Sequence, residues 1–138
     1  MTVHIDSDRR LLRAVLAGTF DPEDAERTFV EVLDAVALRK SHVVLIDGRQ
    51  LAGEPDVIHR FLYGEFAALT AKRYVLARRI PDAAQFAYVL QEPVLDPMRF
   101  GEAVALHWGM NVKAFENPEV AMEWLGMGAG SGMLSGRA

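Results

Sequence analysis

The run Val43-Val44-Leu45-Ile46 constrains the fold of this chain more than any other feature. It is continuously apolar and rich in β-branched residues, and it is too short to form a helix by itself. A strand without alternating polar residues is typical of a parallel sheet that is covered on both faces. The run therefore predicts a central parallel strand, and we expect Asp47-Gly48 to end it as a turn.

Three helix-start signals of one kind follow apolar segments, at Asp21-Pro22, Asp96-Pro97 and Asn117-Pro118. In each signal an Asp or Asn side chain accepts from free backbone N–H groups, and the proline fits the first helical turn. The first predicted helix has an apolar stripe at spacings of three and four residues, made of Ala25, Phe29, Val32, Leu33 and Val36.

The remaining segments complete an alternation of strands and helices. Val3–Ile5 and Leu11–Ala17 predict a hairpin around the polar turn 6–10, with Leu12, Ala14 and Leu16 on one face. A second helix begins at Val57, and its apolar pattern continues to Leu76. Two further strands are predicted at Phe86–Leu90 and Val112–Phe115. The helix between them ends at Gly109, and its inner face is predicted to consist of Phe100, Ala103, Val104 and His107 or Trp108. A last helix ends with Trp124 and Leu125.

This order predicts an α/β fold: a mostly parallel mixed sheet of about five strands with four helices and an N-terminal antiparallel hairpin. We expect a single domain over residues 1–125, followed by a flexible tail rich in Gly and Ser over residues 126–138. A chain of 138 residues is long enough to form one core without disulfides or metal.

Composition excludes several classes of function. The net charge is −4 with acids and bases interspersed, so we expect no nucleic-acid partner. The chain contains no cysteine, which excludes disulfides, thiolate nucleophiles and Cys-based zinc sites. No segment is apolar for the roughly 18 residues that a membrane helix needs, and no signal-peptide pattern is visible, so we expect a cytoplasmic protein without membrane insertion.

Four segments of the C-terminal half resemble bacterial STAS-like proteins, which are the stand-alone, SpoIIAA-like relatives of the anti-sigma-factor antagonists. The segments are 86–90, 99–105, 109–115 and 119–125, and the last of them contains the box Ala121-x-x-Trp124-Leu125. The order of elements over residues 1–125 is also similar to theirs. The resemblance implies a STAS-type fold and a role in protein interaction or ligand sensing, and it implies no catalytic mechanism.

The resemblance also marks the loop from Asp47 to Asp56 as the place where the antagonists carry a phosphorylatable Ser or Thr in an Asp-Ser-x-Gly setting. This loop has no hydroxyl side chain, so it cannot be that Ser/Thr phosphorylation switch. Glu54 and Asp56 place fixed negative charge there. We interpret them mainly as helix-start caps, and a permanent mimic of a phosphate is the weaker alternative.

The candidate site residues are Asp47, Arg49, Glu54, Asp56, His59 and Tyr63. Ligands of open α/β sheets bind outside the carboxyl ends of strands, where Asp47, Arg49 and Tyr63 are expected to converge together with Gln91 and Glu92. An Asp-Gly turn without function is the simpler interpretation of Asp47. His59 lies one helical turn before Tyr63, which would orient it in a cleft; a partly exposed helix residue is the alternative.

No catalytic residue, metal site or cofactor is predicted. The histidines His4, His42, His59 and His107 lie far apart, and no phosphate-binding motif follows a strand. We therefore predict a non-enzymatic interaction module that forms a homodimer or binds another protein. The alternative is a carrier or sensor of a small apolar ligand in a cleft beside the aromatic-rich second helix, and an enzyme that uses Asp47 or His59 ranks last.

Overall fold

A mixed sheet with its strands in the order β1-β2-β3-β4-β5 forms the centre of the protein. The structure is a computed structural model that describes residues 1–8, 10–95 and 99–127. The strands in these ranges are β1 (Thr2–Asp8), β2 (Leu11–Thr19), β3 (Val43–Ala52), β4 (Gln85–Val89) and β5 (Val112–Phe115). The helices in the same ranges are α1 (Pro22–Arg39), α2 (Val57–Leu76), α3 (Phe100–His107) and α4 (Pro118–Trp124).

The strand order explains where the helices lie. β1 and β2 form an antiparallel hairpin, and every later pair of neighbouring strands is parallel. Each parallel pair is joined by one helix, and right-handed crossovers that advance in one direction place all their helices on the same face. Accordingly α1 and α2 pack on the face that carries Leu12, Val44 and Phe86, and Ala105 of α3 belongs to the same cluster.

The opposite face of the sheet is covered by α4. Ala121 and Leu125 pack there against Val43, Leu45 and Ala87, and the ring of Trp124 lies 5.8 Å from that of Phe115. Both faces of the central strand β3 are therefore buried, as the apolar run Val43–Ile46 predicts. The prediction of an α/β fold with a mixed sheet and an N-terminal hairpin is confirmed.

Two of the three helix-start signals are confirmed by their capping hydrogen bonds. Asp21 accepts from the backbone N–H of Asp24 at 3.0 Å, and Asn117 accepts from that of Glu119 at 2.7 Å. The third signal, Asp96-Pro97, lies outside the described residues, and α3 begins at Phe100 after Arg99, whose φ is 53°. The extent of α2 to Leu76 and the terminal Gly109, with a φ of 90°, are confirmed as well.

Three local predictions are wrong. Residues 6–8 belong to β1 and not to a turn, because they pair in register with Leu11, Leu12 and Arg13. β3 does not end at Asp47-Gly48 but continues to Ala52 alongside the end of β2. On α3, Val104 and Ala105 are buried while Ala103, His107 and Trp108 are exposed. The side chain of Phe100 and most of the predicted tail, residues 128–138, lie outside the described residues.

Candidate functional site

The described part of the chain forms a partly open cavity between the sheet and the three helices of its first face. Its volume is about 130 Å³. The described residues that line it are mainly apolar and come from every surrounding element: Leu16, Ala25, Leu51, Ala67, Leu90, Leu95, Ala105, Met110, Val112 and Ala114. Tyr63 and Tyr88 also line the cavity and bring a hydroxyl group each.

The two tyrosines form a hydrogen-bonded pair. Their hydroxyl oxygens lie 2.6 Å apart, and the rings meet edge to face at a centroid distance of 6.2 Å. The ring of Phe29 in α1 makes a second edge-to-face contact with the ring of Tyr63, at a centroid distance of 6.1 Å. Burial raises the pKa of Tyr63, and it raises the pKa of Tyr88 well above its usual value. Both groups therefore remain protonated, and thus able to donate, at neutral pH.

The start of α2 forms the rim of the cavity. Asp56 is the N-cap, and its carboxylate accepts from the backbone N–H of His59 at 2.7 Å. The same oxygen lies 3.2 Å from Nδ1 of His59, whose side chain lines the cavity and is partly exposed. Glu54 is exposed in the preceding loop. The interpretation of Asp56 as a helix cap agrees with this geometry.

Asp47 and Arg49 form a separate cluster within β3. The carboxylate of Asp47 is only 6% exposed and accepts from Nη2 of Arg49 at 2.7 Å and from Nε at 3.0 Å. The backbone N–H of Arg49 also donates to this carboxylate at 3.1 Å, and Nη2 of Arg13 lies 3.8 Å from Oδ2 of Asp47. The hydrogen bonds from Arg49 hold the pKa of Asp47 below its usual value.

The structure does not bring the predicted site residues together. Asp47 pairs in register with Val89, which packs against α4, whereas Ile46 pairs with Tyr88 on the cavity side. Because successive side chains of a strand point to opposite faces, Asp47 and Tyr63 lie on opposite sides of the sheet. His59 and Tyr63 do share one site, the cavity. Asp47 and Arg49 form an ion pair apart from it.

Replacing Asp47 by Asn tests this ion pair. We expect Asp47→Asn to lower the free energy of unfolding at pH 7 by about 2 kcal/mol, because charge-assisted hydrogen bonds are lost. The folded state lowers the pKa of Asp47, so its contribution is present above the ordinary aspartate pKa and is lost as pH falls through the folded value. Urea unfolding from pH 7 to pH 3 should therefore show the two proteins converging at low pH.

The exposed Asp82 provides the matched control for that measurement. Asp82→Asn should follow the wild-type stability curve at every pH. A gap between Asp47→Asn and wild type that stays constant down to pH 3 would show that the charge of Asp47 does not stabilise the fold.

Sequence reasoning missed Tyr88, the partner of Tyr63. The signal was present, because Tyr88 is the one residue of the apolar run 86–90 with a polar group, and it shares a strand face with Phe86.

No metal cluster of three or more His, Asp or Glu side chains occurs within residues 1–8, 10–95 and 99–127. Within the same ranges, no helix is both long and apolar enough to cross a membrane.

Comparison with known proteins identifies the fold. Neither a protein-family model nor a curated protein sequence matches the chain. A solved structure does: an anti-sigma factor antagonist from Mycobacterium paratuberculosis superposes with a TM-score of 0.59. The match covers 90% of this chain and 92% of the antagonist, at 13% sequence identity. This chain has a STAS-like fold. At that identity the STAS-like fold is what the two proteins share, and residue roles do not follow from it.

Proposed function

We propose that this protein is a non-enzymatic STAS-like interaction module that forms a homodimer through the outer face of α2. The observation that carries the proposal is a row of large apolar side chains on the side of α2 that points away from the sheet. This outer face consists of Val57, Ile58, Phe61, Leu62, Leu69 and Leu76. The inner side of the same helix is buried through Gly64, Ala67, Ala68, Thr70 and Ala71.

A helix that is apolar on both sides is normally buried on both sides. Within the part of the chain that the structure describes, this outer side is only partly covered, with Ile58 at 65% and Leu76 at 73% exposed. Monomeric proteins rarely expose contiguous apolar patches of more than a few hundred Å², and larger patches mark interaction sites. A partner surface that covers α2 would remove this apolar area from water.

The spacing along α2 favours a second copy of the chain as that partner. The midpoint between Glu65 and Lys72 falls between residues 68 and 69, so Leu69 lies directly beside it. Phe61 and Leu76 are equally far from this point on either side. If two copies of α2 pack antiparallel about a two-fold axis at this point, Glu65 faces Lys72 of the second copy and Phe61 faces its Leu76. Neither Glu65 nor Lys72 has an ion-pair partner among the described residues, so both charges are available to a second chain.

The loop before α2 supports a module that works without phosphorylation at that position. Between Asp47 and Asp56 no residue carries a hydroxyl group, and α2 begins instead with the fixed carboxylate cap of Asp56. The segment therefore offers no Ser or Thr hydroxyl for phosphorylation. We propose that association through α2 is therefore controlled by concentration or by a ligand.

Charge reversal at the proposed two-fold axis tests the interface and its register. We expect Glu65→Lys and Lys72→Glu each to place like charges opposite one another and to weaken the dimer about tenfold. The double variant Glu65→Lys/Lys72→Glu restores opposite charges and should regain the wild-type dissociation constant. Sedimentation equilibrium of the four proteins at low salt measures this.

Two results would count against the proposal. Equal dissociation constants for all four proteins would show that the antiparallel register is wrong. A wild-type protein that is monomeric throughout, and that binds a different protein through the same face, would replace the homodimer by a heterologous interaction.

A second candidate function is favoured by the cavity. Its apolar walls and its position beneath α2 suit the binding of a small apolar molecule, as a carrier or sensor would require. The two candidates use opposite sides of α2, so they do not compete for the same residues.

A further inference from the structure

We propose that the cavity binds a small, uncharged, ring-sized molecule with one acceptor oxygen, which the Tyr63–Tyr88 hydroxyl pair holds by a hydrogen bond. This inference deepens the second candidate function and rests on it.

The size of the cavity limits the ligand. Its volume is about 130 Å³. An engineered apolar protein cavity of about 150 Å³ binds benzene. This partly open cavity therefore accommodates about one six-membered ring with a small substituent. Larger molecules would have to extend past His59 at the rim.

A count of protons on the tyrosine pair identifies the polar contact. Two neutral hydroxyls carry two protons, and the 2.6 Å bond between them uses one. Within the described residues neither hydroxyl has another hydrogen-bond partner, so the second proton has no acceptor from the protein. Tyr63 and Tyr88 both line the cavity, and a ligand oxygen placed there would accept this proton. A donor that is fixed in apolar surroundings recognises a carbonyl or ether oxygen.

Several other polar groups of the lining are engaged within the protein: Arg60 donates through Nη2 to the carbonyl of Pro93, and Thr28 donates to the carbonyl of Ala25. Glu102 accepts from the backbone N–H of Ala114 at 3.3 Å and lies 3.6 Å from Nη1 of Arg99, which itself donates to the carbonyl of Ala114. A charged ligand would have to give up its hydration in an apolar cavity while these groups stay engaged with each other, which is costly. The cavity therefore selects a neutral molecule.

Acetophenone and ethylbenzene are matched probes of this idea, since they share a ring and a two-carbon substituent, and only acetophenone has an acceptor oxygen. Binding to the wild-type protein and to Tyr63→Phe/Tyr88→Phe is measured by isothermal titration calorimetry. We expect the double variant to bind acetophenone about tenfold more weakly, because the carbonyl loses its donor in an apolar site. Its affinity for ethylbenzene should stay within about threefold of wild type.

The single variants are the matched controls. Tyr63→Phe and Tyr88→Phe each leave one hydroxyl whose proton is released from the pair, so each should keep acetophenone binding within about threefold of wild type. If the double variant does not fold, the infrared carbonyl stretch of acetophenone bound to wild type decides the question. A stretch at lower frequency than in hexane supports the hydrogen bond, and an unshifted stretch overturns it.

The outcomes separate this inference from the function beneath it. If wild type binds both probes and the double variant binds both equally well, the cavity is a ligand site but the tyrosine pair does not recognise oxygen. If wild type binds neither probe at millimolar concentration, both the inference and the second candidate function fail. The homodimer proposal is measured separately and is unaffected by either result.

Discussion

Leu69→Glu is expected to convert the protein from a dimer to a monomer while leaving its fold intact. Leu69 is 37% exposed on α2, next to the proposed two-fold axis, so in the dimer its side chain would meet its own copy. Two glutamates at that position would be desolvated beside each other without a partner, which costs several kcal/mol. The monomer should lose much less stability, because Leu69 is already partly exposed to water and glutamate favours helix.

Leu38→Glu is the matched control for this prediction. Leu38 is also a leucine on a helix, and at 80% exposed it lies on α1, outside the outer face of α2. Light scattering should find Leu38→Glu dimeric and Leu69→Glu monomeric, with equal far-ultraviolet circular dichroism. A dimer in both variants would place the interface elsewhere on the molecule.

Gly64→Ala is expected to lower the free energy of unfolding by about 1 to 3 kcal/mol, although alanine normally stabilises a helix. A Cβ atom at Gly64 would lie 2.6 Å from the backbone carbonyl oxygen of Gly101 and 3.3 Å from Cβ of Val104. Backbone atoms cannot rotate out of the way as a side chain does, so α3 would have to move away from α2. Because both helices line the cavity, this shift would also change its shape.

Gly101→Ala serves as the control at the same helix crossing. A Cβ atom there would meet its nearest neighbour, the carbonyl oxygen of Arg60, at 3.4 Å, which is an ordinary contact distance. We expect this variant to be as stable as wild type or more stable by up to about 1 kcal/mol. Urea unfolding of both variants checks the pair. Equal effects from the two substitutions would show that the close approach at Gly64 does not limit the packing.

The elements of the fold were predictable because their signals are local. The run Val43–Ile46 and the Asp-Pro and Asn-Pro helix starts depend on neighbours within a few residues, and the structure confirms each one that it describes. The end of β3 depends on a distant partner. An Asp-Gly pair favours a turn, but β2 continues beside it to Thr19, and its backbone groups hold β3 in the sheet.

The candidate site was harder to predict because it depends on which strand face meets which helix. Alternation along β3 places Ile46 and Asp47 on opposite faces, but only the strand order shows that α1 and α2 cover the face of Ile46. Tyr63 was predicted as a site residue that converges with Asp47 and Arg49 at the carboxyl ends of the strands, but it lies on the other side of the sheet from Asp47. Its hydrogen bond to Tyr88 joins residues 25 apart in sequence, and no local pattern indicates that contact.

The central claim, a homodimer formed through α2, is tested most directly by the mass of the wild-type protein in solution. Light scattering coupled to size exclusion, at about 10 to 100 micromolar protein, should give the mass of two chains, and the apparent mass should fall towards one chain on dilution. The mass of a single chain across this range would contradict the account.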